Sequence, residues 1–455
     1  MDSCLHYIFN LHTMISTINS IKFMVTVVIF TSGCMLLTSK NVHAQWQRES
    51  NAEIRNTTPP VVEWKKYRDN ETGYELWRIT SHESGAWATH FNSLSFTPDD
   101  RYLIFSSERT GSWQLFRADL GNGEIVQLTN VASLNSSNFT VHPNGKEVFF
   151  SFDGKLGRIN IFTGEINSRV FDMPVVFRRV ISNDGLYTLV TGSRYGGTVI
   201  YLLSLPEANI EASLNWPRGS TLTMSEYGAS GLQWTGGVSH TLMNPEYPWL
   251  VTFLPGSTYR EETNYLDQQN DMTLPLRMRA RAWLWDARTG ETRPFVSAPY
   301  HYRYTHESWD WTGERFFLFQ KAQPGWVPNH ISSVDNKGED WQYHHSDDTL
   351  RLGHGASSHD GEWFISDGQD PGRNPLRLIN LKTGKWKDLT WPDASISAAG
   401  MSGSGHATQS HVHPSFSMSG KYVAYTVNPT GREGDSEVYV LPIPDEVKRK
   451  LSTVD

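Results

Sequence analysis

Along most of the chain, a polar turn is followed by a short run in which apolar and polar residues alternate. The runs are "FTPDDRYLIFSS" from Phe96, "VHPNGKEVFFSF" from Val141, "ISNDGLYTLVTG" from Ile181 and "MNPEYPWLVTF" from Met243. They continue as "WDWTGERFFLF" from Trp309, "SSHDGEWFISDG" from Ser357 and "SFSMSGKYVAYT" from Ser415. A period of two predicts half-buried strands, and the Asp-Gly or Asn-Gly pairs supply the left-handed backbone angles of a tight hairpin. Most copies are followed by a second unit of strand, Thr-Gly-type turn and strand, as in "RAWLWDARTGETRPF" and "LRLINLKTGKWKDLT". Four short strands per copy, repeated every 40 to 65 residues or so, predict the blades of a propeller with loop insertions.

The seventh copy contains only "SEVYVLPIP" (Ser436 to Pro444) and lacks its last strand. The N-terminal "YRDNETGYELWRIT" (Tyr67 to Thr80) is a turn and last strand with nothing before it. The two ends are therefore expected to share one blade. The fold class is all-β, a seven-bladed β-propeller closed by the N-terminal strand, in a single domain over residues 45–455.

Ahead of it, Lys22 precedes the apolar "FMVTVVIFTSGCMLL" (Phe23 to Leu37), and Val42 and Ala44 fit the small-residue rule for cleavage. Residues 1–44 are expected to be a signal peptide, placing the mature chain in the periplasm or outside the cell with no transmembrane segment. Both cysteines, Cys4 and Cys34, fall inside this segment, so thiol catalysis and zinc-thiolate sites are excluded from the remainder. The formal net charge of -8 and the absence of a basic stripe argue against a nucleic-acid partner.

Seven residues before each hairpin turn stand Ser93, Asn138, Arg178, His240, His306, His354 and His413. Four successive blades thus present histidine at one register, near the start of the strand expected to line the channel. His411 and His413 are two apart, and on an extended strand such residues face the same way. With His306 they would offer three neutral imidazoles, a set suited to manganese, iron, nickel or zinc. His240 alone could instead be structural, and His354 could be packed or stand behind a metal ligand. His344, His345 and His359 read as solvated turn residues. "HESW" lacks the second histidine of a His-Glu-x-x-His metalloprotease motif.

"WKKYRDNETGYELWRIT", "HFNSLSFTPDDRYLIFSSERTGSWQLFRADLGNGEIVQLT", "ARAWLWDARTG", "THESWDWTG", "HGASSHDG" and "HVHPSFSMSGKYVAYT" resemble, in order, segments of the oligogalacturonate lyases. The resemblance runs from about Trp64 to Pro444. It implies a seven-bladed lyase that cleaves galacturonate oligosaccharides by β-elimination with a divalent metal, most often Mn2+. Carried over, the metal ligands are His306, His411 and His413, the catalytic base is His240, and Arg218 matches an arginine upstream of that base. The family's glutamine ligand falls at Thr408 here, with Gln409 one residue later as the candidate. His354 and Arg178, at the same register, are assigned to substrate. The expected partner is a uronate oligosaccharide. The alternatives are a lyase on another uronate polymer such as ulvan, or a non-catalytic periplasmic propeller that binds glycan or protein.

Overall fold

The computed structural model describes residues 46–49, 60–81, 85–194, 197–205, 207–216, 237–255, 280–297, 302–322, 327–368, 372–373, 375–394, 412–429 and 435–453. The expected signal peptide lies outside them, as do Arg218, Gln409 and His411. None of the helices among the described residues is long and apolar enough to cross a membrane.

Seven antiparallel sheets of four or five strands form the blades; strands that follow one another along the chain make up most of each, and three sheets also take strands from the N-terminal segment. Their first strands are Ala86–Trp87, Leu134–Val141, Val175–Ile181, Val238–Met243, Tyr302–Trp309, Leu352–Ser357 and Ser415–Phe416. First strands of several neighbouring blades touch one another, which makes them the innermost layer. The protein is an all-β, seven-bladed propeller.

The apolar alternation is used between blades. Phe105, Phe116 and Ala118 of blade 1 pack with Ala424, Val438 and Val440 of blade 7, and Val148, Phe150 and Ile159 of blade 2 pack with Ile104 and Leu115 of blade 1. Phe317, Phe319 and Ile331 of blade 5 meet Leu352, Phe364 and Ile379 of blade 6. Full burial of such side chains contributes about 1.5–3 kcal/mol each, so stability is spread around the ring.

Several hairpin turns are tied by a hydroxyl or carboxylate at their first residue. The Tyr187, Trp363 and Tyr422 amides donate to the hydroxyls of Ser182, Ser358 and Ser417 at 2.9, 3.0 and 3.2 Å, and the Arg315 amide donates to Asp310 at 2.9 Å. Gly185, Gly313, Gly361 and Gly420 close these turns with φ near 70°, the region where glycine is unstrained.

The N-terminus contributes more than one strand. Glu75–Arg78 pairs with Glu437–Pro442 and completes blade 7, as expected, and Lys65–Arg68 then adds a fifth strand outside it. Val61–Val62 extends the outer edge of blade 1, and Gln47–Arg48 that of blade 2. Outer edges carry unpaired backbone groups, and these short segments cover them. A C-terminal helix, Asp445–Ser452, is a second element the alternation did not predict; it buries Val447 and Leu451 against blades 6 and 7.

Two expectations about histidines are corrected. His344 and His345 lie on the outermost strand of blade 5, Gln342–Asp347, where His345 is buried and accepts from Arg377 at 3.1 Å. His359 does sit in a turn, but its ring stacks on Trp311 at 4.2 Å rather than standing in water.

Candidate active site

The innermost strands do not run straight through the register picked out in the sequence. Their pairing to the second strand slips between Phe177 and Ile181, between Ser239 and Leu242, between Thr305 and Ser308, and between Leu352 and Gly355. At or beside these bulges, Arg179, His240 and His306 adopt left-handed backbone angles, with φ of 66°, 44° and 52°. His413, two residues before its strand begins, does the same at 44°. A bulge breaks the alternation and re-aims a side chain, and non-glycine residues in this region cost on the order of 1 kcal/mol each. Such strain at one register in three blades, and one residue beyond it in blade 3, points to a functional position.

The expected shared face of His411 and His413 involves a residue outside the described ones. What gathers the described rings is tertiary. The His306 and His354 rings lie 4.2 Å apart, His354 and His413 4.2 Å, and His413 and His90 4.7 Å, between centroids. His90 comes from the turn after the first strand of blade 1, three residues before Ser93, the residue picked out there by the sequence register. Phe91 backs the cluster, 5.6 Å from His354 and 5.7 Å from His413.

Hydrogen bonds set the tautomers. His306 directs Nδ1 to the Gly353 carbonyl at 3.0 Å, so Nδ1 carries the proton and the lone pair sits on Nε2. His354 directs Nδ1 to the buried carboxylate of Asp367 at 3.0 Å, with the same consequence. Asp367 also accepts the backbone amides of His354 at 2.6 Å and of His413 at 3.3 Å. Burial drives the His306 pKa well below its ordinary value, with His354, Lys321 and His240 acting in the same direction; His90 is likewise held well down by burial and then by Arg179.

Beside this cluster stands a buried ion pair. Arg281 Nε lies 2.5 Å and its second nitrogen 3.3 Å from the two oxygens of Glu307, the residue after His306. Burial works to raise the Glu307 pKa, but Arg281 and His240 leave it below the usual carboxylate value. His240 itself is open to solvent on one side, with Nδ1 3.2 Å from the Ser239 hydroxyl. The protein enclosing its other sides pushes its pKa down to about 4, Glu307 opposing and Arg281, Arg179 and Arg178 assisting. Water reaching the ring offsets part of that enclosure, and the imidazole is neutral at pH 7 in either case.

Of the residues singled out in the sequence, the structure therefore brings together His306, His354 and His413, and sets His240 and Arg178 within the same electrostatic surroundings. His90, Arg179, Arg281, Glu307 and Asp367 were missed. Asp367 had a signal, a carboxylate inside a strand buried throughout, and Glu307 and Arg179 adjoin residues already picked. Among the described residues no group of three His, Cys, Asp or Glu side chains is placed to hold an ion. The two pinned imidazoles nevertheless suit a metal ligand shell, because a carboxylate or carbonyl behind Nδ1 is how ligating histidines are held. The predicted remaining donors, Gln409 and His411, belong to the segment outside the described residues.

Solved structures share this architecture. An oligogalacturonate lyase in complex with manganese matches with a TM-score of 0.65, over 89% of this chain and 100% of its own, at 20% identity. The fold is that of the oligogalacturonate lyases. A second such lyase, from Vibrio parahaemolyticus, matches with a TM-score of 0.64 over 85% of this chain and 99% of its own, at 16% identity. The sequence matches no protein-family profile and no curated protein.

Proposed function

We propose that the protein is a metal-assisted lyase that cleaves uronate-containing oligosaccharides, of the oligogalacturonate type, by β-elimination. The observation that carries this reading is the convergence of His306, His354 and His413, two of them pinned through Nδ1, beside a neutral, solvent-accessible His240. The likeness in fold to lyases, one of them in complex with manganese, supports it.

In this mechanism His240 takes the proton from C5 of the uronate, next to the carboxylate. Nε2 is proposed as the base, with Nδ1 turned to the Ser239 hydroxyl. The C5–H electrons form the C4–C5 double bond as the C4–O bond breaks, and the departing oxygen takes up a proton, so no water is consumed. A divalent cation, proposed as manganese and held by His306 and His413 with Gln409 and His411, would offset the charge that grows on the carboxylate. Asp367 orients His354 behind that set. Arg218 is proposed as an additional cation at the carboxylate, and Arg178 as a substrate contact. The proposed setting is the periplasm or the exterior, reached through the signal segment of residues 1–44.

The test is ultraviolet absorbance of the unsaturated uronate during incubation with digalacturonate, with manganese and then with chelator. A rise abolished by chelator, and by His240→Ala without loss of metal, supports the mechanism. A rise seen only on ulvan moves the substrate to another uronate. Absence of a rise on every uronate, together with no bound metal, leaves a non-catalytic binding propeller.

A further inference from the structure

Arg178 and Arg179 stand side by side on the innermost strand of blade 3, Val175–Ile181, whose pairing is interrupted between Phe177 and Ile181. Successive residues of a strand ordinarily face opposite sides of the sheet. Here the left-handed angle of Arg179 interrupts that alternation, and the charges of both arginines act on His240, while that of Arg179 also acts on His90. Both guanidinium groups therefore belong to the surroundings of the candidate base.

Their partners are unusual. Arg178 donates from Nε to the Thr191 hydroxyl at 2.6 Å, a neutral acceptor. Among the described residues neither arginine pairs with a carboxylate. Other enclosed arginines of this protein do: Arg281 with Glu307, Arg377 with Asp347 and Asp388, and Arg109 with Glu63. Glu307, the acid whose charge acts on His240, is already bidentate with Arg281. Burial lowers the pKa of Arg178 to about 10 and, with repulsion from Arg178, that of Arg179 to about 9. Two like charges, half-buried and next to each other without an acid, are held at a cost that a bound anion would relieve. The left-handed backbone adds to that cost. This is a local concentration of positive charge in a chain whose formal net charge is -8.

We propose that Arg178 and Arg179 form an anion subsite beside His240 that takes a carboxylate of a uronate residue adjoining the one that reacts. A guanidinium fork matches a carboxylate with two parallel hydrogen bonds, and a uronate oligosaccharide carries one carboxylate per sugar. The inference rests on the reading of the protein as a uronate lyase and extends it: the recognised unit is at least two uronates, and an isolated monosaccharide leaves the arginine pair unfilled.

The experiment is calorimetric titration of the full chain, in chelator so that no turnover occurs, with digalacturonate and with its fully methyl-esterified form. Wild type, Arg179→Gln, Arg179→Lys and Arg179→Gly are compared. Arg179→Gly accepts the left-handed angle without strain, so its loss of binding cannot be ascribed to a damaged fold. Expected is a loss of about tenfold or more in digalacturonate affinity for Arg179→Gln and Arg179→Gly, with partial recovery in Arg179→Lys. The methyl ester should bind weakly and equally to all four, and in turnover KM should rise more than kcat falls. Undiminished digalacturonate binding by Arg179→Gly overturns the subsite. If wild type binds no uronate in chelator, and the His240→Ala variant binds none with manganese present, the lyase reading fails separately. Thermal stabilisation by inorganic sulfate of wild type but not of Arg179→Gly would then keep an anion site for a sulfate ester, and no such stabilisation would overturn both.

Discussion

Asp367 grips His354 at two points, accepting its backbone amide at one carboxylate oxygen and its Nδ1 proton, at 3.0 Å, at the other. The second oxygen also receives the amide of His413, so one buried carboxylate from the second strand of blade 6 ties together residues of blades 6 and 7. It is the part of the candidate site most fully described by geometry.

Replacing Asp367 by Asn removes one acceptor and turns an amide donor towards N–H groups that themselves donate. Manganese affinity is expected to fall about 10- to 100-fold, the usual effect of losing a group behind the ligand shell, because the same carboxylate also holds the backbone of the proposed ligand His413. Metal content after dialysis against graded chelator measures this, with circular dichroism confirming that the sheets persist. Full metal retention would reduce Asp367 to a purely structural clamp.

The Arg281–Glu307 pair is almost fully enclosed, with side-chain exposures of 2% and 0%. Glu307→Ala leaves the guanidinium buried without its acid and is expected to cost about 3–5 kcal/mol in denaturant unfolding. Combining it with Arg281→Met should recover most of the loss. A single substitution that costs under about 1 kcal/mol would show that water reaches the pair.

Because the pKa of His240 is lowered rather than raised, the base stays unprotonated well below pH 6.5. The acid limb of kcat/KM on digalacturonate should have its midpoint below the ordinary histidine value, and His240→Ala should reduce kcat about 10²- to 10⁴-fold. A midpoint above 6.5 would require an acid partner close to the ring and would contradict the surroundings described.

Stability should depend on pH through histidines away from the site. Burial brings His344, His345 and His359 down to about 4. In the unfolded chain they bind protons near pH 6.5 and in the folded chain they do not, so the unfolded state takes up more protons between those values. The full stability is present above pH 6.5 and is lost as pH falls towards 4. Thermal unfolding in chelator should give a lower Tm at pH 5 than at pH 7, and a level or rising Tm would show these rings to be solvated.

The repeat count, the turn chemistry and the sharing of one blade by both chain ends were legible in the sequence, because each is written in local alternation and turn residues. So was the register at which His240, His306, His354 and His413 recur, since every blade places its innermost strand at the same distance from its hairpin. The direction of those side chains was not legible. It depends on bulges and left-handed angles at Arg179, His240, His306 and His413, which carry no glycine signature. Register arithmetic accordingly stopped at Arg178 and Ser93, whereas the bulge also turns Arg179 out of alternation and a turn brings His90 to His413. The Asp367 clamp and the Arg281–Glu307 pair join residues whose separation along the chain has no period to reveal it. Alternation decided which faces of the strands are buried between blades; only closure of the ring decided which polar residues meet at its centre.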